Sequence, residues 1–361
     1  TLLSIARGAE GTDVALEWRE APLSPAPWTK RYDHAAVILD DGTVLSLGGH
    51  DMVPPGLKKD IFRIAPGGTM LEQVTASAEW SARSGHCVVH LPGTNEIVII
   101  GGKGGSNEVW RSANNGLNFT KISNNVFTGG RYYHGCVAIS ATKLFAFGGR
   151  SSMGMPHNDV RVSIDSAATW TDVDHSSCGA NQQMWPKRKI FGFTFMPLLG
   201  RIVIAGGWNG THGQNDVWYS NVDAKCWTLA NGDIFSSGFG LVLLTVPFGG
   251  VEALLLLGTN FHQYYLTNTV KLSINGGSTW TTVTSAGTNT WADRVHFTAV
   301  VDTRFARLLI WGGTSWGNPT KRYADLWTAP LLPVYNALVP NHDPFSAIDA
   351  YCGARTPCHV E

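Results

Sequence analysis

Residues Arg131 to Trp170 read RYYHGCVAISATKLFAFGGRSSMGMPHNDVRVSIDSAATW. Four short strand-like runs follow one another: VAIS (137–140), KLFAFGG (143–149), NDVRVS (158–163) and, running just past the stretch, TWTDV (169–173). Apolar or alternating runs of this length, bounded by Gly, Asn, Asp and Ser, pair into one four-stranded antiparallel sheet. Such a sheet cannot bury both faces alone, so it requires copies of itself on either side.

The rest of the chain supplies the copies. A glycine pair ends the second strand of each, its last glycine falling at Gly49, Gly102, Gly149, Gly207, Gly258 and Gly313, a repeat of 47 to 58 residues. Before the first strand stands Arg-x-x-His or a remnant of it. Arg31 to His34, Arg83 to His86 and Arg131 to His134 are intact, whereas Arg188 is followed by Phe191 and Arg294 by Phe297. The fifth copy has lost both residues, and its glycine pair has become Leu257-Gly258. Third strands carry Asn, Asp or Glu: NEVW (107–110), NDVR (158–161), NDVW (215–218) and ADLW (324–327).

This pattern resembles the kelch repeat, in phase over nearly the whole chain to about residue 330. The resemblance implies an all-β fold, a six-bladed β-propeller spanning residues 1–330. The sixth copy runs out at Leu326-Trp327 with no fourth strand after it, and Val14-Ala-Leu-Glu-Trp18 has the missing character. A strand within about residues 12–20 is therefore expected to complete blade six and remove the ring's open edges. Residues 331–361 are expected to form an irregular extension that packs on the propeller or a partner, with VYNALVP (334–340) as its only strand-like run.

A second signature precedes the fourth strands: SANNGLNF (112–119), SIDSAATW (163–170), SNVDAKCW (220–227) and SINGGSTW (273–280). It resembles the Asp-box of sialidases and other secreted propellers, where the box is structural and remote from the active site. The residue types suit a turn, since Asn and Asp cap their own backbone and Gly permits positive φ.

Composition narrows the function classes. Among 361 residues, 27 Lys and Arg balance 27 Asp and Glu, so no global field favours nucleic acid or an anionic membrane. The most apolar run, Leu241 to Leu257, is broken by Pro247, Gly249, Gly250 and Glu252 and reads as a buried hairpin, not a membrane span. The chain opens on Thr1 without a signal peptide and is read as a processed mature form. Sequons at Asn118 and Asn209 are candidate glycosylation sites. Of six cysteines, Cys352 and Cys358 are close enough for an easy disulfide, and Cys178 could bridge Cys226. Cys87 and Cys136 read as readily as buried thiols. Together these features place the chain outside the cell or in the secretory pathway.

Topology then locates a site. The loop leading into each first strand and the loop after each glycine pair open on one face, so two sets of residues converge on one mouth. In kelch proteins that grip acidic ligands, arginines of the leading loop line the pocket, and the resemblance carries that role to Arg31, Arg83, Arg131, Arg188 and Arg294. The guanidinium fork suits carboxylate, sulfate or phosphate. The plain structural alternative is that each arginine bonds backbone carbonyls of its neighbour. His50, Lys103, Arg150, Trp208 and Trp316 follow the glycine pairs, and the two tryptophans could serve as platforms for sugar rings. His34, His86 and His134 recur at one repeat position, as a structural role would have it, and no spacing supports a metal site or a cofactor.

The leading functional reading is recognition of an anionic or carbohydrate ligand, or of a partner protein, at this mouth. A secreted enzyme (sialidase-like hydrolase, mutarotase or specifier-type) is the alternative, although acids near the mouth are few: Asp33, Asp51, Asp293 and Glu108. Tyr32, Tyr132, Tyr133 and Tyr323 accompany them, with His296 in the leading loop of copy six. A third reading makes the chain a component of a cell-surface or filament assembly, with contacts through the C-terminal extension.

Overall fold

The structure, a computed structural model, describes residues 14–21, 28–54, 56–105, 107–179, 182–234, 238–258, 266–315 and 320–338. Its strands form six small sheets. Their innermost strands neighbour one another in cyclic order, the sixth returning to the first, so the sheets are the blades of a closed β-propeller. The innermost strands are Ala35–Ile38, Cys87–His90, Gly135–Ala138, Gly192–Met196, Val242–Phe248 and Thr298–Asp302. In blade three, Leu144–Phe147, Val160–Ser163 and Thr171–Asp172 follow outward with continuous antiparallel register.

Second strands such as Ile97–Ile100 and Leu144–Phe147 are buried at every position, because both sheet faces are covered by neighbouring blades. The core is consequently six cores, one between each pair of adjacent blades. A tryptophan or phenylalanine just upstream of each leading-loop arginine fills these gaps: Trp80, Trp185, Trp291 and Phe127 are at most 1% exposed. Fully burying such a side chain stabilises the fold by about 1.5–3 kcal/mol.

The N-terminal segment does close the ring, with a shift in which residues do so. Arg19–Ala21 pairs antiparallel with Leu326 to Thr328 and completes blade six. Ala15 and Leu16 instead pair parallel with Thr284 and Ser285 on the outer edge of blade five. Leu16 and Trp18 are buried there, so the chain needs both blades to hide its apolar residues.

The C-terminal expectation is corrected in part. Leu332–Leu338 is an α-helix, not a strand. Leu331, Val334, Tyr335 and Leu338 have helical spacing and share the core between blades five and six, while Pro333 sits in the first turn, where its missing N–H costs nothing. Tyr335 stacks on Phe248 of blade five at 4.1 Å. Among the described residues, no helix is long and apolar enough to cross a membrane.

The turns before the fourth strands follow one scheme in blades two, three and five. Ser112, Ser163 and Ser273 donate to the acid or amide two residues on and accept from the backbone N–H four residues on. In blade four Asn221 caps the turn instead. Among the described residues there are two disulfides. Cys178–Cys226 joins the loop after blade three to blade four, and Cys87–Cys136 joins the innermost strands of blades two and three, so those two thiols are not free. Disulfides of this kind form in oxidising, extracellular-type environments. Cys352 and Cys358 lie outside the described residues.

Candidate functional site

The five leading-loop arginines are not at the mouth. Arg31, Arg83, Arg188 and Arg294 are completely buried and Arg131 is 2% exposed. Each donates through Nη1 to the carbonyl of the first glycine of its own blade's pair (Gly48, Gly101, Gly148, Gly206 and Gly312). Each also pairs with an acid of the same blade, in the third strand (Asp60) or immediately before it. Asp60, Asp159, Asp216 and Asp325 take both ends of the guanidinium fork, and Glu108 accepts from Arg83. Hydrogen bonds already occupy these forks, which corrects the expectation that they line a ligand pocket.

Of the five acids, Glu108 is held firmly as an ionised acceptor. Burial pushes Glu108 up, but donors on Lys121, Trp110 and Ser81 together with the Arg83 charge outweigh it and hold the carboxyl at about 2. Trp218 and Trp327 likewise donate to Asp216 and Asp325. A signal for this lay in the sequence. The copies with an arginine have an acid 25 to 31 residues later. Copy five lost the arginine and carries Thr269 before its third strand.

Residues after the glycine pairs do assemble the mouth. Bridges join them to the leading loops: Tyr32 with His50, Ser84 with Lys103, Tyr132 with Arg150, Lys189 with Trp208 and Val295 with Thr314. Arg150 lies over the Tyr132 ring at 5.1 Å and Arg322 over the Tyr32 ring at 5.5 Å. Lys103 is exposed, and Arg150, Lys189 and Arg322 are half-buried. Among the described residues, none of these four cations forms a salt bridge. They feel one another: burial and then the Arg150 charge lower the Lys189 ammonium, and burial and then the Lys103 charge lower the His50 imidazole. Trp208 packs edge-on against Phe239 at 5.1 Å. Trp316 lies outside the described residues.

Below the mouth the leading loops form a belt. Asp33, Gly85, Tyr133, Ile190, Gly240 and His296 occupy one repeat position and all have left-handed backbone, with φ between 55° and 69°. Each donates its N–H to the carbonyl of its neighbour around the axis. Gly85 bonds Asp33, Tyr133 bonds Gly85, Ile190 bonds Tyr133, Gly240 bonds Ile190, His296 bonds Gly240 and Asp33 bonds His296, at 2.7 to 3.2 Å. Six blades are thus laced by one closed ring of backbone hydrogen bonds. Beneath it lies a cavity of about 280 Å³ framed by the innermost strands.

Glycine is the cheap residue at a left-handed position, and a side chain there costs roughly 1–2 kcal/mol. Blades two and five use it. Asp33, Tyr133 and His296 do not, and their side chains meet at the throat. Tyr133 Oη donates to Asp33 Oδ2 at 2.6 Å, and His296 Nδ1 lies 2.7 Å from Asp33 Oδ1. Gly85 makes this reach feasible, since a Cβ there would stand 2.7 Å from the Tyr133 ring. Burial, then the Asp33 charge, pushes the Tyr133 hydroxyl far up, so it stays a donor. Each of the three is recognisable in the sequence as a residue of the mouth. Their convergence is not, because they come from blades one, three and six.

Among the described residues, both ring nitrogens of His34, His86 and His134 are buried without a hydrogen-bond partner. The rings pack against Trp311 and Trp28, Trp80, and Phe127, at the place Phe191 and Phe297 fill in blades four and six. Among the described residues no group of His, Cys, Asp and Glu could hold a metal ion. Asn118 is exposed, whereas the Asn209 side chain caps its own turn, accepting from Thr211 and His212. No protein-family model matches the chain, and no curated protein is significantly similar to it.

Proposed function

We propose that this chain is a secreted kelch-type propeller, with Asp-box-like turns, that recognises an anionic or carbohydrate ligand at its mouth. One observation carries the reading: Lys103, Arg150, Lys189 and Arg322 gather on one face of the ring with no carboxylate partner among the described residues, while the five arginines inside the blades all have one. Cations held close together without counter-charge raise the local concentration of anions and bind them through charge-assisted hydrogen bonds. Tyr32, with His50 against it, Tyr132 and Trp208 supply flat faces beside those charges, suited to a sugar ring or a planar acid. The ligand-contacting set is therefore His50, Lys103, Arg150, Lys189, Trp208 and Arg322.

Isothermal titration with citrate, inorganic phosphate and a uronic-acid oligosaccharide tests this. Saturable binding of at least one is expected, weakened about 10- to 100-fold by Arg150→Ala, the worth of one hydrogen bond to a charged group. Binding that survives Arg150→Ala combined with Lys103→Ala unchanged would overturn it.

A further inference from the structure

We propose that the mouth binds an acidic polysaccharide as an extended chain, laid along an arc of cationic groups and flat rings that blades one to four present in turn. This inference rests on the anion-binding reading of the mouth and narrows its ligand to a periodic polyanion made of sugars.

The arc is built from equivalent positions. In blades one to four the residue after the leading-loop arginine is bridged to the residue after the glycine pair: Tyr32 with His50, Ser84 with Lys103, Tyr132 with Arg150 and Lys189 with Trp208. Each of these four rungs carries one basic side chain, and three carry a Tyr or Trp ring. Arg322 joins the first rung from blade six, lying over the Tyr32 ring at 5.5 Å. Lys30 and Lys187, each just before a leading-loop arginine, add exposed ammonium groups at the two ends of the arc. Among the described residues neither of them forms a salt bridge. Beyond the arc the pattern stops. The equivalent pair in blade six is Val295 with Thr314, and the exposed Asp293 stands where blades one and four have Lys30 and Lys187.

This layout selects the ligand. Packed sheets lie about 10 Å apart, so rungs on successive blades are spaced by about that distance and the four span roughly 30 Å of arc. A carboxylate or phosphate takes hydrogen bonds only from donors within about 3 Å, so one small acid engages one rung or two. The basic heads are also kept at their own blades. Arg150 lies over the ring of its rung partner Tyr132 at 5.1 Å, and a Cβ added at Gly154 would stand 2.8 Å from its Nη2. A chain with charges at regular intervals meets all four rungs at once, and its sugar faces fit the Tyr and Trp rings between the charges. A nucleic acid is a periodic polyanion too. Against it, 27 Lys and Arg balanced by 27 Asp and Glu give no global field to draw one in, and the disulfides belong to an oxidising, extracellular-type environment.

Isothermal titration with galacturonic acid and its linear oligomers up to the decamer tests this. Affinity is expected to rise at least about 100-fold from the monomer to the decamer, the worth of two further hydrogen bonds to charged groups. The decamer's log K should fall with log salt at a slope of about 3, as four contacts release counterions, and the monomer's slope should be shallower. Lys103→Ala, in the middle of the arc, should weaken decamer binding about 10-fold and reduce that slope, with the fold retained by circular dichroism. Equal affinity per sugar unit at every length leaves an anion site at the mouth and overturns the arc. Decamer binding that Lys103→Ala leaves unchanged does the same. Decathymidylate that binds as tightly as the decagalacturonate in the same salt overturns the choice of a polysaccharide. Absence of binding by every one of these anions removes the mouth reading as well.

Discussion

The guanidinium of Arg188 shows what a buried charge does in this molecule. It is completely buried, takes both oxygens of Asp216 at 2.6 and 2.8 Å, and bonds the Gly206 carbonyl at 2.8 Å. Removing one partner leaves the other charged, buried and uncompensated, at a cost of about 3–5 kcal/mol. Arg188→Leu should therefore destabilise the propeller by that amount in urea unfolding. Arg188→Leu with Asp216→Asn should cost less than the sum of the two single changes, because the second substitution removes the orphan; additive effects would refute the pairing. Gly85 makes a complementary point. Gly85→Ala adds a Cβ 2.7 Å from the Tyr133 ring at φ 58°, and should lower stability by roughly 1–2 kcal/mol while displacing Tyr133 from Asp33. The downfield shift or exchange protection of the Tyr133 hydroxyl proton would report that displacement by NMR.

The leading loop as an element carries a pH dependence. Burial, and then the charge of the adjacent arginine, holds His34 and His134 at about 3, and the same causes hold His86 well below the ordinary value. The folded state binds these protons less readily than the unfolded chain does, so stability is full above pH 6.5 and falls as pH drops from there towards 3. Each imidazole contributes about 1.4 kcal/mol per pH unit within that window, or about 2 kcal/mol lost by pH 5. Thermal unfolding between pH 7 and 5 should show the loss. The triple substitution to Phe at 34, 86 and 134 should flatten it, since Phe191 and Phe297 already fill the same place; an unchanged slope would refute the assignment. Blade closure is an element-scale effect too. Deleting the chain through Ala21 exposes the edge at Leu326 to Thr328 and unburies what Leu16, Trp18 and Ala21 cover. At about 1.5–3 kcal/mol for each large side chain, the melting temperature should fall by roughly 10 °C, with a tendency to associate through the bared strand.

At the scale of the whole molecule, two disulfides staple neighbouring blades across 49 and 48 residues of chain. Reduction should cost about 2–5 kcal/mol for each bridge, and a melting curve in excess thiol that overlays the oxidised one would contradict this. The innermost strands, the belt and the Cys87–Cys136 bridge all lie around the axis and cross-link the throat. A site there has rigid walls and inherits residues from several blades at once.

What could be learned from the chain in one dimension was whatever repeats. Strand lengths, glycine pairs and the Ser-x-Asn/Asp turns recur every 47 to 58 residues, so the six-bladed ring and its closure by the N-terminal strand were legible. Even the ion pairs were written there, as an arginine and an acid that vanish together in copy five, but the arginines alone resemble ligand-binding groups. Their destination depends on what lies across the same blade, and only packing shows that Asp60, Glu108, Asp159, Asp216 and Asp325 take them. The throat was beyond reach for a related reason. Asp33, Tyr133 and His296 belong to one repeat position, where each looks like a local substitution. They become one constellation only when the ring closes and brings residues 100 or more positions apart within 2.7 Å. Repetition along the chain determines a propeller, because every blade must solve the same burial problem. Its site arises from the departures from repetition, and closure about the axis decides which of those departures meet.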